Sequence, residues 1–189
     1  MKQDKNEQIN RLSSMPADRE VLEPVRFCTA EVWQDAVAIS RMAHAIWNEH
    51  YTPIIGSDQV EYMLRHFQSA AAVWKAFTED HTVYVKVCSG SAPAGYLAYK
   101  LDRDQKRIFI SKFYLLAAFR GRGVARQMLN YVSSLASKEK LSIIWLTVNI
   151  NNLKSIQAYL KMGFEIKGKC LQDIGSGYVM DDYIMEKHM

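Results

Sequence analysis

The chain has 189 residues, which is the length of one domain or of one domain with a tail. Its 49% apolar and 23% charged residues exclude an intrinsically disordered chain, a collagen or a coiled coil as the main state. The net charge of +4 is compatible with anionic small-molecule ligands and too small to predict nucleic-acid binding.

Several features of the sequence predict a cytoplasmic protein. Cys28, Cys88 and Cys170 are few and widely spaced, which favours free thiols over disulfides or a zinc site. No apolar run reaches the ~18 residues of a membrane span, so no membrane association is predicted. Residues 1–20 are polar and lack the apolar core of a secretion signal, so we interpret them as a mobile tail before one domain over 21–189.

The first part of that domain is predicted to be mostly helical. An alternating run predicts a short strand, and apolar residues spaced about 3.6 apart predict the helices after it. Pro53 and Gly56 interrupt the pattern and predict a loop, while Ser57 is the expected N-cap of the next helix. The predicted elements are a strand at Val25–Cys28, a helix from Val32, a loop over 47–56, a helix over 58–66 and helical texture over 70–77.

The middle of the chain changes to a period of two, which predicts strands. Three runs rich in β-branched and aromatic residues are joined by short polar turns, so they predict an antiparallel meander whose middle strand is paired on both sides. These runs cover residues 82–87, 95–101 and 107–116.

The last part of the chain predicts a crossover unit. A helix over about 124–138 precedes the continuous apolar run 143–148, which is typical of a strand buried on both faces. Strand, helix and strand in this order place the two strands parallel. A second helix ending at Gly163 and strands near 164–171 and 178–187 complete a mixed α/β (α+β) domain without repeats.

The most informative motif is Arg120-Gly121-Arg122-Gly123-Val124-Ala125, between a predicted strand and a predicted helix. Glycine lets backbone amides approach a ligand, and the helix start adds N–H groups and a partial positive charge. The arginines and the lack of an acid in the first helical turn favour a phosphate or pyrophosphate ligand. A basic turn without any ligand is an equally good interpretation of these six residues. Their spacing is that of neither a Walker loop nor a dinucleotide-binding G-x-G-x-x-G turn.

A second motif follows the apolar strand. On a helix, Asn152, Ser155 and Tyr159 share one face, which begins beside the strand end near the glycine turn. A phenol at Tyr159 can donate a proton to a leaving group. The alternatives are that Tyr159 is a core residue and that Asn152 is an ordinary helix cap.

Together the motifs give residues 113–164 a resemblance to the acetyl-CoA-binding core of the GCN5-related N-acetyltransferase (GNAT) superfamily. Arg120, Gly123 and Ala125 match the pyrophosphate motif of that family. The later motif is matched by Val148, Asn149, Asn152, Ser155, Ile156, Tyr159, Gly163 and Phe164. The element order over 25–187 also fits, so the resemblance implies a splayed, mostly antiparallel sheet of about seven strands flanked by helices.

The resemblance implies acetyl-CoA as the acyl donor, no metal, and direct attack by an amine. It also implies that backbone amides of the glycine turn would hold the pyrophosphate, that amides near Leu115 would pair with the pantetheine arm and polarise the thioester, and that Tyr159 would protonate the departing thiolate. The cofactor-binding residues implied are Tyr114, Leu115, Arg120, Gly121, Arg122, Gly123, Val124, Ala125, Asn152 and Ser155.

The general base and the acceptor are predicted from residues outside the two motifs. Many family members carry a carboxylate on the strand before the glycine turn, where this chain has Ser111 and Lys112. Glu49 and His50 are the candidate catalytic residues instead, since the family places the first helices over the acceptor site; a surface Glu and His beside a packing loop is the alternative. The expected acceptor is a small amine, a polyamine or a protein amino group. A non-catalytic acyl-CoA sensor of the same fold is the competing function, and the resemblance also suggests a homodimer through an exposed strand edge.

Overall fold

The computed structural model describes residues 23–189, so the predicted tail over 1–20 lies outside the described residues. The elements are β1 Val25–Thr29, α1 Trp33–His50, α2 Thr52–Ile55, α3 Ser57–Phe67, α4 Ala70–Thr78, β2 Val83–Ser89, β3 Ala92–Asp102, β4 Arg107–Leu115, a 3-10 turn Ala117–Phe119, α5 Val124–Lys138, β5 Ile143–Asn149, α6 Leu153–Lys161, β6 Glu165–Gly175 and β7 Tyr178–His188.

The strands form one seven-stranded sheet in the order β1-β2-β3-β4-β5-β7-β6. Neighbouring strands are antiparallel except β4 and β5, which are parallel and are joined through α5. The predicted meander is therefore β2-β3-β4, and the predicted crossover unit is β4-α5-β5. The predicted fold class, a mixed and mostly antiparallel sheet of about seven strands, is confirmed.

Each face of the sheet carries its own hydrophobic core. On one side, which we call the α5 face, alternate strand residues pack against α5 and α6. On the other side, which we call the α1 face, the strand residues that point the opposite way pack against α1, α3 and α4. Tyr114 belongs to the α1 face and its neighbours Phe113 and Leu115 to the α5 face, so β4 contributes to both cores.

Two local predictions near the end of α1 are wrong. Residues 47–56 are not a loop, because α1 continues to His50 and α2 follows at once. Trp47 is only 3% exposed and extends the apolar face of α1, while Pro53 lies in the first turn of α2, where a missing N–H costs no helical hydrogen bond. Ser57 is the first residue of α3 and not its N-cap; Gly56 takes that position.

Two further features concern the helices and the cysteines. None of the helices within 23–189 combines the length and the apolar character that crossing a membrane requires. The cysteines Cys28, Cys88 and Cys170 are free thiols.

Candidate functional site

The site begins where β4 and β5 part. The two strands pair from Arg107–Ile143 to Ile110–Leu146, yet β4 continues to Leu115 and β5 to Asn149. At the same point the register between β3 and β4 shifts, which leaves Ser111 as the extra residue of a β-bulge. Because a bulge bends and twists its strand, β4 diverges from β5 and opens a wedge-shaped gap in the sheet.

Backbone groups of β4 face this gap. The Leu116 N–H donates to the Ala94 carbonyl on β3 at 2.9 Å, so the alternate residues Phe113 and Leu115 direct their N–H groups away from β3. The Leu115 carbonyl accepts a hydrogen bond from Arg120 Nε at 2.9 Å. The gap therefore presents N–H donors along one edge, as the edge strand of a sheet does.

A cavity of about 420 Å³ passes through the gap and has walls from both faces of the sheet. Ala125 and Tyr159 bound it on the α5 face, and Tyr51, Tyr114 and Thr147 bound it on the α1 face. The predicted site residues that line it are His50, Tyr114, Leu115, Arg120, Gly121, Ala125, Asn152, Ser155 and Tyr159. Arg122, Gly123 and Val124 lie beside this lining in the chain, and Glu49 lines a second, adjoining cavity.

The glycine turn has the chemistry of an anion site. Gly123 is the N-cap of α5 in the left-handed region, with φ of 84°, and it offers no side-chain cap. The first backbone bond of the helix runs from the Gln127 N–H to the Gly123 carbonyl, so the N–H groups of the first turn lie ahead of the hydrogen-bonded ladder. The first turn carries no acid, and Val124 is fully buried and anchors the turn in the core. These features fit a pyrophosphate group.

Asn152 acts as a helix cap and also keeps a donor for a ligand. Its Oδ1 accepts from the Ser155 N–H at 3.3 Å, which caps α6. Its Nδ2 is buried and has no hydrogen-bond partner among residues 23–189. An unpaired buried donor is costly, so a ligand in the cavity is the natural partner for it. The structural and the functional interpretations of Asn152 are therefore compatible.

Tyr159 lies on the same face of α6, between Phe113 and Phe164, with ring centroids 6.0 Å and 5.6 Å away. Burial raises the pKa of its phenol well above the ordinary range, and the nearby Tyr51 raises it further. The phenol is therefore protonated at neutral pH, as a proton donor must be.

Glu49 and His50 both contact predicted cofactor-binding residues. The Glu49 carboxylate accepts two hydrogen bonds from the Arg120 guanidinium, at 3.0 Å and 3.1 Å. His50 Nε2 lies 3.2 Å from the Asn152 Oδ1; because an amide oxygen only accepts, Nε2 carries the proton and Nδ1 keeps its lone pair. Burial lowers the pKa of His50, and the charge of Arg120 adds to this effect, so the ring is neutral at pH 7.

Three further residues at the α1-face end of the cavity were not predicted from the sequence. Tyr51 stacks on Trp47 with ring centroids 4.3 Å apart, and burial raises its pKa to about 12. Thr147 is the single hydroxyl in the apolar strand β5, a signal that could have identified it. Asp182 lies behind Thr147, and the charged strand β7 gave no local signal for it. Among residues 23–189 no group of three or more His, Cys, Asp or Glu is arranged to hold a metal ion.

Comparisons with known proteins agree with this geometry. An uncharacterized N-acetyltransferase of Mycobacterium tuberculosis is 30% identical over 137 residues, which are 72% of this chain and 86% of that protein. N-alpha-acetyltransferase 50 of Danio rerio is 38% identical over 66 residues, 34% of this chain and 39% of that protein. The spermine/spermidine N(1)-acetyltransferase of Bacillus subtilis is 28% identical over 72 residues, 38% of this chain and 47% of that protein.

Among solved structures, a GCN5-related N-acetyltransferase from Rhodopseudomonas palustris superposes with a TM-score of 0.74 over 90% of this chain and 99% of that chain, at 15% identity. Likeness at that identity supports the fold alone. The model of the acetyltransferase (GNAT) family matches residues 41–164. Because this match spans well over half of the chain and includes both motifs, the chain belongs to the acetyltransferase (GNAT) family and is an acetyl-CoA-dependent N-acetyltransferase, as the resemblance implied.

Proposed function

We propose that the chain transfers the acetyl group of acetyl-CoA directly to a primary amine while donor and acceptor are both bound. The observation that carries the proposal is the cavity that crosses the gap between β4 and β5 with walls from both faces of the sheet. A donor held from the α5 face and an amine entering from the α1 face would meet inside it. Transfer within this cavity needs no covalent enzyme intermediate, because holding both reactants together lowers the barrier of the direct reaction.

The donor side is proposed from the residues that line the gap. The turn Arg120–Ala125, with its arginines and first-turn N–H groups, would hold the pyrophosphate. The N–H groups of Phe113 and Leu115 would pair with the pantetheine arm and polarise the thioester carbonyl, while Asn152 Nδ2 would donate to the arm. Bound acetyl-CoA supplies the activated thioester.

Tyr159 is proposed to give its phenolic proton to the departing sulfur. Burial keeps the phenol protonated at neutral pH, so that a proton is at hand when the C–S bond breaks. We expect Tyr159→Phe to lower kcat by about 100-fold or more while the Kd for acetyl-CoA, measured by calorimetry, stays unchanged. Tyr131→Phe is the matched control, because this tyrosine stacks on Phe27 away from the cavity. Wild-type turnover in Tyr159→Phe would remove the residue from this role.

The acceptor is proposed to be a small amine, a polyamine or a peptide amino group. The names of two relatives, one for spermine and spermidine and one for N-alpha-acetylation, support these two classes. The test measures thiol release from acetyl-CoA with spermine, spermidine and short peptides that carry a free amino terminus. Release that depends on the amine supports transfer. Binding of acetyl-CoA with no thiol release for any of these amines contradicts transfer and favours the non-catalytic sensor.

Cytoplasmic location and a homodimer remain predictions.

Glu49 and His50 are the candidate catalytic residues that the sequence predicts. Of the two, His50 is better suited, because its Nδ1 keeps a lone pair and burial keeps the ring neutral. The Glu49 carboxylate is already bound by Arg120 through both oxygens, which favours a role in holding the glycine turn against the end of α1.

A further inference from the structure

A buried carboxylate without a cationic partner lies beside the α1-face end of the cavity. Asp182 on β7 is 3% exposed, and its Oδ1 accepts no hydrogen bond from residues 23–189. None of the ion pairs among those residues includes it. Burying a charge without a partner is costly, and nothing in the packing of the fold requires a carboxylate at this position. Such a group is a candidate for binding something that enters the cavity.

The sheet register places Asp182 one side chain behind the cavity wall. Asp182 is paired with Asn149, at the end of β5 where the gap opens. Thr147 lies two residues earlier on β5 and points to the same face, so the two side chains are diagonal neighbours. Thr147 lines the cavity, and it is close enough to the Asp182 carboxylate to lower the pKa of that group. Tyr51, just after the end of α1, lines the same cavity, and the charge of Asp182 contributes to its raised pKa.

The position separates this pair from the two candidates of the sequence. Glu49 and His50 contact Arg120 and Asn152, which belong to the proposed donor side. Thr147 also lies on the α1 face, with Tyr51 and Tyr114, but its hydroxyl is not engaged by a described residue of the proposed donor side. The Thr147 hydroxyl is therefore a polar group in the part of the cavity wall that the amine would contact, and the Asp182 carboxylate lies behind it.

This inference rests on the proposed acetylation of an amine and assigns the groups that bind the amine and take its proton. We propose that the Thr147 hydroxyl binds the attacking amine and that Asp182 receives the proton of the amine through that hydroxyl. An ammonium N–H passes its proton to Thr147 Oγ as the Thr147 proton moves to the Asp182 carboxylate, which leaves a neutral amine. The nitrogen then forms the N–C bond, the C–S bond breaks, and the sulfur takes the Tyr159 proton. The second nitrogen proton leaves as the amide forms and restores the Tyr159 phenol through solvent, and Asp182 returns its proton to solvent.

The surroundings of Asp182 favour proton uptake. Burial raises the pKa of its carboxyl, and the charge of Asp181 raises it further, against the lowering effect of Thr147. The other titratable groups that face it are Cys170 on β6, whose pKa is raised chiefly by burial, and Tyr51 between α1 and α2. Desolvation in the cavity would lower the pKa of an entering ammonium and so favour transfer of the proton, whereas the charge of the Asp182 carboxylate would stabilise the ammonium until the proton moves.

The test compares Asp182→Asn, Thr147→Val and Thr147→Ser with the wild type, using whichever of spermidine or a peptide with a free amino terminus the wild type acetylates. At neutral pH we expect Asp182→Asn and Thr147→Val each to lower kcat by about 100-fold or more, while the Kd for acetyl-CoA is unchanged. Thr147→Ser keeps the hydroxyl and is expected to keep most of the activity. Between about pH 6 and about pH 9, the rate of Asp182→Asn should rise about tenfold per unit, because the variant depends on amine that has lost its proton in solution. The wild type should vary much less over that range.

A stability measurement separates loss of chemistry from loss of fold. Since the folded state raises the pKa of Asp182, its ionisation is more costly in the folded than in the unfolded chain. Asp182→Asn removes that cost, so its thermal midpoint should equal or exceed that of the wild type near neutral pH. The difference should vanish in acid, where the carboxyl is protonated in both states. An active wild type with an equally active Asp182→Asn of unchanged pH profile overturns this inference alone, whereas a wild type that acetylates no amine overturns the proposed function.

Discussion

At the scale of single residues, the glycine turn depends on one backbone angle. Gly123 has φ of +84°, and a Cβ built on it would meet nothing within 4 Å, so the conformation, not crowding, requires glycine. We expect Gly123→Ala to destabilise the fold by about 1–2 kcal/mol and to weaken acetyl-CoA binding, because the first-turn N–H groups lose their alignment. Thermal unfolding and calorimetric titration measure the two effects.

Gly177 provides the matched control for this prediction. It has φ of +77°, a Cβ there would also meet nothing within 4 Å, and it lies in the turn between β6 and β7. Gly177→Ala should therefore lose a similar amount of stability and bind acetyl-CoA like the wild type. Equal weakening of acetyl-CoA binding in both variants would mean that strain, and not the alignment of donors at the turn, controls binding.

At the scale of secondary-structure elements, the gap depends on how closely β3 approaches the end of β4. Gly95 is paired with Leu115, and a Cβ on Gly95 would lie 2.1 Å from the Tyr114 carbonyl oxygen. Because that neighbour is backbone, Gly95→Ala must push β4 aside. We expect a loss of about 1–3 kcal/mol in unfolding free energy, measured by urea titration, and weaker acetyl-CoA binding through displaced N–H groups.

Gly168 on β6 is the matched strand glycine for that comparison. A Cβ there would meet only Ile184 Cδ1 at 3.9 Å, an ordinary contact, so Gly168→Ala should leave stability unchanged or raise it by about 0.5–1 kcal/mol. A Gly95→Ala variant as stable as Gly168→Ala would show that β4 is free to shift, and it would contradict the idea that the close approach of β3 fixes the gap.

Most of the helices and strands could be predicted from the sequence alone. Period and turn residues predicted the meander, α5 and the crossover, because local hydrophobic patterning determines those elements. The sequence predicts a loop at the end of α1 because Pro53 is usually a helix breaker, whereas the helix continues to His50 and buries Trp47.

The site residues that the sequence predicts are also those whose positions follow from local spacing. Asn152, Ser155 and Tyr159 are neighbours on one helix, so their spacing was enough to group them. Asp182 lies behind the cavity wall only because the β5–β7 register pairs it with Asn149, which is 33 residues earlier in the sequence. No local pattern encodes such a pairing, and β7 carries several charges of which Asp182 is the buried one. The Ser111 bulge was hidden for the same reason, since a bulge exists only relative to a partner strand.

At the scale of the whole molecule, the sheet has two parts that share few direct strand contacts. One part is β1 to β4 with α1 to α4, and the other is β5, β7 and β6. The strand pairing between them is limited to the four pairs from Arg107–Ile143 to Ile110–Leu146. A ligand whose arm pairs with β4 inside the gap, and whose pyrophosphate binds the start of α5, would therefore complete the interface between the two parts.

This arrangement predicts that acetyl-CoA stabilises the molecule and does so locally. At about 100 times its Kd, binding adds about 2.7 kcal/mol, which for a domain of this size raises the thermal midpoint by roughly 5–10 °C. Hydrogen exchange should slow at the Phe113 and Leu115 amides and in the first turn of α5, while the amides near Leu171 on β6 keep their rates. ADP carries a pyrophosphate without a pantetheine arm, so it should protect the first turn of α5 but not Phe113 or Leu115. Protection of Phe113 and Leu115 by ADP as strong as that by acetyl-CoA would contradict a pantetheine arm bound in the gap.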